Sequence, residues 1–232
     1  MVKFASSHGI CNYIWFMIDS FKHKGMRRKL VEEIRQKGVN DSEVLAAIEE
    51  IPRHFFLDNA FLNYAYEDKA FPIGSGQTIS QPFTVAFQTS LLELQKGHKV
   101  LEIGTGSGFQ TAVLVKMGVK VFTIERQRQL YLKTRELLPK IGFRPRFFYG
   151  DGYQGLPAYG PFDRVLVTAG APFVPEPLKE QLVVGGVLVI PVGAGDVQRM
   201  IRIQKVAENE YQEEEFGEFR FVPLLEDKEQ GK

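Results

Sequence analysis

Cysteine is all but missing from this chain: Cys11 stands alone among 232 residues, so no internal disulfide framework can form and a reducing compartment is expected. Histidine is scarce too. His8, His23, His54 and His98 lie too far apart in sequence for a recognised metal spacing, so no metal is expected. Neither sign of charge dominates, with 29 basic against 28 acidic side chains. Neutralising a phosphate backbone would require a basic surplus, so nucleic acid is not an expected partner. Long apolar runs are also lacking. The stretch Ile10 to Ile18 is far shorter than the roughly 20 residues a membrane span needs. Lys3 is the only charge before it, and no small-x-small cleavage site follows before Lys22, which argues against export. The expectation is a cytoplasmic monomer that neither enters nor binds a membrane.

What is present is ordinary globular composition, 44% hydrophobic and 25% charged, enough to bury one full core. Residues 1–25 are read as an unassigned leader, either a short helix packed on the body or a poorly ordered segment. Residues 26–232 form one domain in this reading, with N-terminal helices and a loop (26–82), a ligand-binding core (83–195) and a C-terminal hairpin and tail (196–232). Leu30, Val31 and Ile34 share one helical face, and Val44, Leu45, Ile48 and Ile51 share another that Pro52 terminates. Phe71 to Pro82, broken by Gly74, Gly76 and Pro82, reads as a long structured loop and a candidate lid.

Strand and helix signals then alternate. A helix near Val85 to Leu94 precedes strand Lys99 to Ile103, helix Phe109 to Met117, strand Val121 to Glu125, helix Arg128 to Ile141 and strand Arg146 to Tyr149. Strand Arg164 to Val167, a helix near Glu176 to Leu182 and the strand Gly186 to Val192 continue the pattern, with Gly185-Gly186 as a turn into that strand. This predicts an α/β fold with a doubly wound, mainly parallel sheet. Met200 to Val206 and Phe216 to Val222 flank the polar run Glu208 to Glu215, which predicts a closing antiparallel hairpin with a solvated tip.

The most informative run is Val100-Leu-Glu-Ile-Gly-Thr-Gly-Ser-Gly108, an apolar strand entering a glycine turn with a carboxylate at the junction. Glycine allows a sharp turn and close backbone approach to a ligand. Glu102 would repel a dinucleotide pyrophosphate but attract the ammonium and sulfonium charges of S-adenosylmethionine. Glu125 ends the second strand 21 residues after Gly104, close to the spacing of an acid that bonds ribose hydroxyls; the other reading, a solvated edge or helix-terminal charge, loses on spacing. Asp151, within Gly150-Asp-Gly152, follows the third strand and is either a partner for the adenine amino group or plain turn chemistry. A hydrolase elbow is absent, and the turn departs from the Gly-x-Gly-x-x-Gly of dehydrogenases.

Glu102-Ile-Gly-Thr-Gly-Ser-Gly-Phe-Gln110, together with Pro52-Arg-His54, Gly76-Gln-Thr-Ile-Ser-Gln-Pro82, Gly150-Asp-Gly152, Pro161-Phe-Asp163, Gly185-Gly-Val-Leu-Val-Ile-Pro-Val-Gly193 and Phe221-Val-Pro-Leu224, resembles the protein-L-isoaspartate O-methyltransferases. The resemblance runs from about Met26 to Leu224, and the Thr-Ile-Ser-Gln-Pro loop carries the substrate assignment. It implies a Rossmann-like methyltransferase that moves a methyl group from S-adenosylmethionine to the α-carboxylate of L-isoaspartyl residues in damaged proteins, starting repair through a succinimide. It also implies Ser80 as the active-site residue, with Thr78 and Ser80 meeting the substrate. Gln77, Thr78, Ile79, Glu102, Gly104, Thr105, Gly106, Glu125, Asp151 and Gly152 would form the donor site. Without the resemblance, Ser80 reads as a turn-stabilising hydroxyl before Gln81-Pro82. Phe109, Thr111 and Gly170 depart from the family pattern, and the leader before Met26 is unmatched.

Two other functions compete. A methyltransferase for nucleic acid or a small molecule would share the donor site, but the Asp/Asn-Pro-Pro-Tyr/Phe signature of amino methylation is absent where Val167-Thr-Ala-Gly170 stands. A non-catalytic S-adenosylmethionine-binding recruitment module is opposed by the presence of Ser80, Glu102 and Glu125.

Overall fold

The computed structural model describes residues 18–229, so most of the expected leader, with Cys11, lies outside the described residues. Helix α1 (Phe21–Gln36) begins five residues earlier than the domain boundary placed at Met26. Ser20 explains the early start: its hydroxyl accepts from the His23 amide, and the Ser20 amide donates back to His23 Nδ1, a reciprocal cap with histidine in the usual Glu/Gln place. Helix α2 (Ser42–Glu50) is capped by Asp41, which accepts from the Glu43 and Val44 amides. It stops where expected, because Ile51 precedes a proline and is extended.

The stretch read as a loop is instead a two-stranded hairpin, β1 (Phe71–Gly74) and β2 (Gln77–Ile79). Ser75 and Gly76 both have positive φ, the twist that closes a two-residue hairpin, and Ile73 and Ile79 anchor it in the core. Strands this short leave too little alternation for the pattern to be read in advance.

Thereafter the expected alternation is present: α3 (Pro82–Leu91), β3 (Lys99–Ile103), α4 (Phe109–Lys116), β4 (Lys120–Glu125), α5 (Arg128–Lys140), β5 (Arg146–Tyr149), β6 (Phe162–Val167), α6 (Glu176–Glu180), β7 (Leu182–Val192), β8 (Gln198–Ala207) and β9 (Glu210–Phe219). They build one sheet in the order β5-β4-β3-β6-β7-β8-β9, parallel as far as β7 and antiparallel beyond it. Val100, Leu101 and Ile103 of β3 are all buried, as a central parallel strand covered on both faces requires.

Two expectations are corrected at the far edge. Gly185-Gly186 is not a turn into β7 but an irregularity within it, where the register against β6 shifts between Phe162 and Arg164. A side chain on Gly186 would lie 2.7 Å from the Val183 carbonyl, so the close backbone approach demands glycine there. The polar run is not a solvated tip either. The hairpin turns at Glu208-Asn209, and Glu210 to Glu215 pair as a strand against β8, with Arg199 on Glu215 at 2.8 Å and Arg202 on Glu214 at 2.6 Å. Cross-strand ion pairs on an exposed edge allow a charged run to be a strand.

Candidate active site

In the sheet order, β4 and β5 lie on one side of β3 while β6 and β7 lie on the other. A doubly wound sheet opens a crevice outside the carboxyl ends of its strands at such a switch point. The structure puts a cleft there. Residues from the β1–β2 hairpin (Gln77, Thr78, Ile79, Ser80), the turn after β3 (Gly104, Thr105, Gly106), the end of β4 (Glu125) and the start of a short 3₁₀ turn (Gly152) all line it.

The glycine turn is built from both neighbours of β3. The Gly104 and Thr105 amides donate to the Ile124 carbonyl at 2.9 and 3.2 Å. Gly104 has φ +96°, and a Cβ on it would sit 2.5 Å from Thr168 Oγ1. Conformation and space therefore both exclude a side chain. Thr105 is pinned from below by a 2.6 Å contact between its hydroxyl and that of Thr123. The bare main chain facing the cleft fits a ligand that must approach closely, as an adenosyl donor must.

Glu125 joins the turn to β4: one carboxylate oxygen accepts from the Gly106 amide at 2.8 Å and the other from the Gln127 amide at 2.7 Å. Burial pushes its pKa up, opposed by those backbone hydrogen bonds. The carboxylate is thus fixed at the cleft wall with its orientation set.

Glu102 and Asp151 are placed differently from the rest. Glu102 has no exposed surface and does not line the cleft; its side chain points into the layer between sheet and α4, where Oε2 accepts from Thr111 Oγ1 at 2.6 Å and Oε1 has no hydrogen-bond partner among the described residues. Burial, with Glu125 adding repulsion, lifts its pKa to about 7. The direct charge attraction expected of Glu102 is therefore replaced by a role beneath the turn. Asp151 accepts from the Tyr153 amide at 2.9 Å and caps the 3₁₀ turn Gly152–Gln154, and it too is absent from the lining. Turn chemistry accounts for Oδ1 and leaves Oδ2 without a bond to a described residue.

Ser80 lies between β2 and α3, half-buried. Its carbonyl accepts from Arg53, while its hydroxyl bonds no described residue, which removes the turn-stabilising reading. A second, open groove adjoins the cleft and shares Thr78, Ser80, Thr168 and Val222 with it.

Several lining residues were not singled out as site residues in the sequence, although Val222 to Leu224 lie in one of the family-like runs. Thr168 follows β6 and faces the glycine turn, its hydroxyl within 2.9 Å of the Ile103 and Gly104 carbonyls. Val222 to Leu225 lie beyond the last strand and fold back, with the Gly170 amide donating to Val222 and the Leu224 amide to Gly170. Only the strand-end position of Thr168 could have marked it.

Folding brings together two histidines that stand far apart in sequence. The His23 and His54 rings lie 4.0 Å apart between centres, tilted by 40°, beside Asp19, with one potential ligand atom of each of the three residues within 4.8 Å of the others. Both Asp19 oxygens are taken by Arg27, at 2.7 and 2.8 Å, so the cluster closes as a polar network under α1.

Comparison with known proteins agrees with this geometry. Residues 25–229 match the profile of the family described as protein-L-isoaspartate(D-aspartate) O-methyltransferase. A protein-L-isoaspartate O-methyltransferase of Cytophaga hutchinsonii is 61% identical over 209 residues, covering 90% of this chain and 95% of its own. That of Flavobacterium johnsoniae is 59% identical, covering 91% of this chain and 100% of its own. A solved protein-L-isoaspartate O-methyltransferase superposes with a TM-score of 0.77 at 31% identity, over 85% of this chain and 65% of that longer one. A proposed member from Plasmodium falciparum, solved with S-adenosyl-L-homocysteine, shares the fold at TM-score 0.75 and 24% identity, over 88% of this chain and 98% of its own. The chain therefore belongs to the protein-L-isoaspartate(D-aspartate) O-methyltransferase family.

Proposed function

We propose that this chain methylates the α-carboxylate of L-isoaspartyl residues in proteins and peptides, using S-adenosylmethionine, and so starts repair through a succinimide. The observation that carries the reading is the sharing of Thr78 and Ser80 between the narrow cleft and the open groove. A donor in the cleft and a polypeptide in the groove would meet at those two hydroxyls.

When bound, S-adenosylmethionine supplies an electrophilic methyl carbon on a positively charged sulfur. Gly104 and Gly106 would give it a flush main-chain surface, and Glu125 would take its ribose hydroxyls. Gln77, Ile79, Thr105 and Gly152 complete the walls. An α-carboxyl group with an ordinary pKa near 3.5 is already ionised at neutral pH, so no general base is required. Ser80 and Thr78 would instead donate hydrogen bonds that orient the acceptor carboxylate for displacement. The ester formed then loses methanol by ring closure without further help from the enzyme.

The balance of charge supports a protein or peptide acceptor over nucleic acid. Among the described residues no helix is long and apolar enough to cross a membrane. We place the activity in the cytoplasm and assign it to the monomer, with no metal.

The test is labelled methyl transfer to a short peptide containing L-isoaspartate, against the same peptide with normal aspartate. Transfer to the isoaspartyl form alone is expected. Donor binding without transfer to either peptide would instead favour another acceptor or a recruitment module.

A further inference from the structure

We infer that Arg53 is a positioning residue for methyl transfer, locking the acceptor side of the site against the donor side. The inference rests on the role proposed for Ser80. Arg53 follows Pro52 in the 3₁₀ turn Arg53–Phe56 and is only 1% exposed, yet among the described residues no carboxylate lies within salt-bridge distance of it. A buried charge without a counter-ion is costly unless its donors are satisfied. Here three main-chain carbonyls satisfy them: Ala65 accepts from Nε at 3.1 Å, Lys69 from Nη2 at 2.9 Å and Ser80 from Nη1 at 3.1 Å.

Those carbonyls come from separate places, the end of the second 3₁₀ turn (Asn59–Tyr64), the approach to β1 and the exit from β2. One rigid fork therefore clamps both ends of the β1–β2 hairpin. The acceptor on the exit side is Ser80 itself. Fixing the peptide plane that follows Ser80 restrains where its Cα–Cβ bond points, leaving the hydroxyl only its χ1 rotamers from which to reach the acceptor.

The same guanidinium lies 5.1 Å from the centre of the Phe109 ring, the first residue of α4 after the glycine turn. Phe56, from the Arg53 turn, packs edge-on against Phe109 at 5.5 Å. Arg53 thus touches the serine of the acceptor loop and the helix that opens the donor cradle. In-line displacement tolerates little error in that separation, since a misplacement of about 1 Å can lower a rate by about 100-fold. The cradle itself is held by Ile124 and Glu125, without Arg53. Gln77 and Ile79 of the clamped hairpin wall the donor site but do not hold the glycine turn, so loss of the fork should harm transfer far more than donor binding.

Arg53→Lys keeps the charge but cannot span three carbonyls. In the full chain it should bind S-adenosylhomocysteine within about threefold of the parent by calorimetry, while kcat for an isoaspartyl peptide falls about 10- to 100-fold. Combined with Ser80→Ala, it should lower kcat no further than the poorer single change, because both act through one group. Multiplicative losses, or a drop in donor affinity as large as the drop in kcat, would overturn the inference. If Ser80→Ala alone leaves turnover unchanged, the Ser80 reading fails, whatever Arg53→Lys does. Should Arg53→Lys not fold, the unaltered protein provides the test through the nitrogen-15 resonance of the Arg53 Nε–H. With S-adenosylhomocysteine present, that resonance should shift on adding isoaspartyl peptide and not on adding aspartyl peptide; equal response to both would sink the idea.

Discussion

Single residues decide what the cleft can hold, and three of them can be tested alone. Ser80→Ala should lower turnover of an isoaspartyl peptide at least tenfold while leaving donor affinity unchanged, read by labelled methyl transfer beside calorimetry; equal turnover would remove Ser80 from the mechanism. Gly104→Ala puts a Cβ 2.5 Å from Thr168 Oγ1 at a φ of +96°. The left-handed backbone alone costs about 1–2 kcal/mol, and the clash adds to it, so S-adenosylhomocysteine binding should be lost before the fold is. Glu102 acts through pH. Its folded pKa of about 7 lies above the usual 4.5, so the folded state holds its proton more tightly than the unfolded chain. Stability from this group is fully present below pH 4.5, declines as pH rises toward 7 and stays low above it, by at most about 3 kcal/mol. Glu102→Gln should therefore raise Tm at pH 8 and change it little at pH 4. Gly104 was legible because a turn after an apolar strand has few solutions. Glu102 was misplaced because spacing reveals a carboxylate but not which layer its side chain enters.

At the scale of elements, α1 is fastened by a network that acid should loosen. Arg27 donates to Asp19, to the Glu49 carbonyl and to the Tyr66 hydroxyl, which lies 2.5 Å from His54 Nδ1. Burial, with His23 adding repulsion, holds the His54 pKa down at about 4 against an ordinary 6.5. The unfolded chain then binds protons more readily, so stability from neutral His54 is present above pH 6.5 and lost as pH falls toward 4. Protection factors, which correct for the intrinsic slowing of amide exchange in acid, should fall across Phe21–Gln36 between pH 7 and 4.5 while those of Lys99–Ile103 do not. None of this was visible in sequence, where His23 and His54 stand far apart. Helices and parallel strands were legible, since their periods run over many residues. The β1–β2 hairpin was missed because it is too short for alternation; the closing hairpin was legible, but its second strand, expected over Phe216 to Val222, is Glu210–Phe219 because pairing with β8 holds the charged run as strand.

For the molecule as a whole, Glu102 and His54 pull stability in opposite directions across roughly pH 4.5 to 6.5. The parent should therefore show a flatter dependence of Tm on pH in that window than Glu102→Gln, whose acid decline would stand exposed; parallel curves would refute the opposition. The cleft is also a property of the whole. It joins residues from Gln77 to Leu225, and the tail run Phe221-Val-Pro-Leu224, legible in sequence as family-like, gains its place in the cleft only by folding back on Gly170.

The acidic face of β9 bears on the clients such an enzyme would meet. Proteins carrying isoaspartate are damaged, and their loosened segments seek any bare row of amides and carbonyls to pair with. Edge strand β9 offers one, but Glu210, Glu213, Glu214, Glu215 and Glu218 stand exposed along it. Ranked carboxylates disfavour zippering of a foreign strand onto that edge. The repairer can handle sticky clients without becoming a seed for their aggregation.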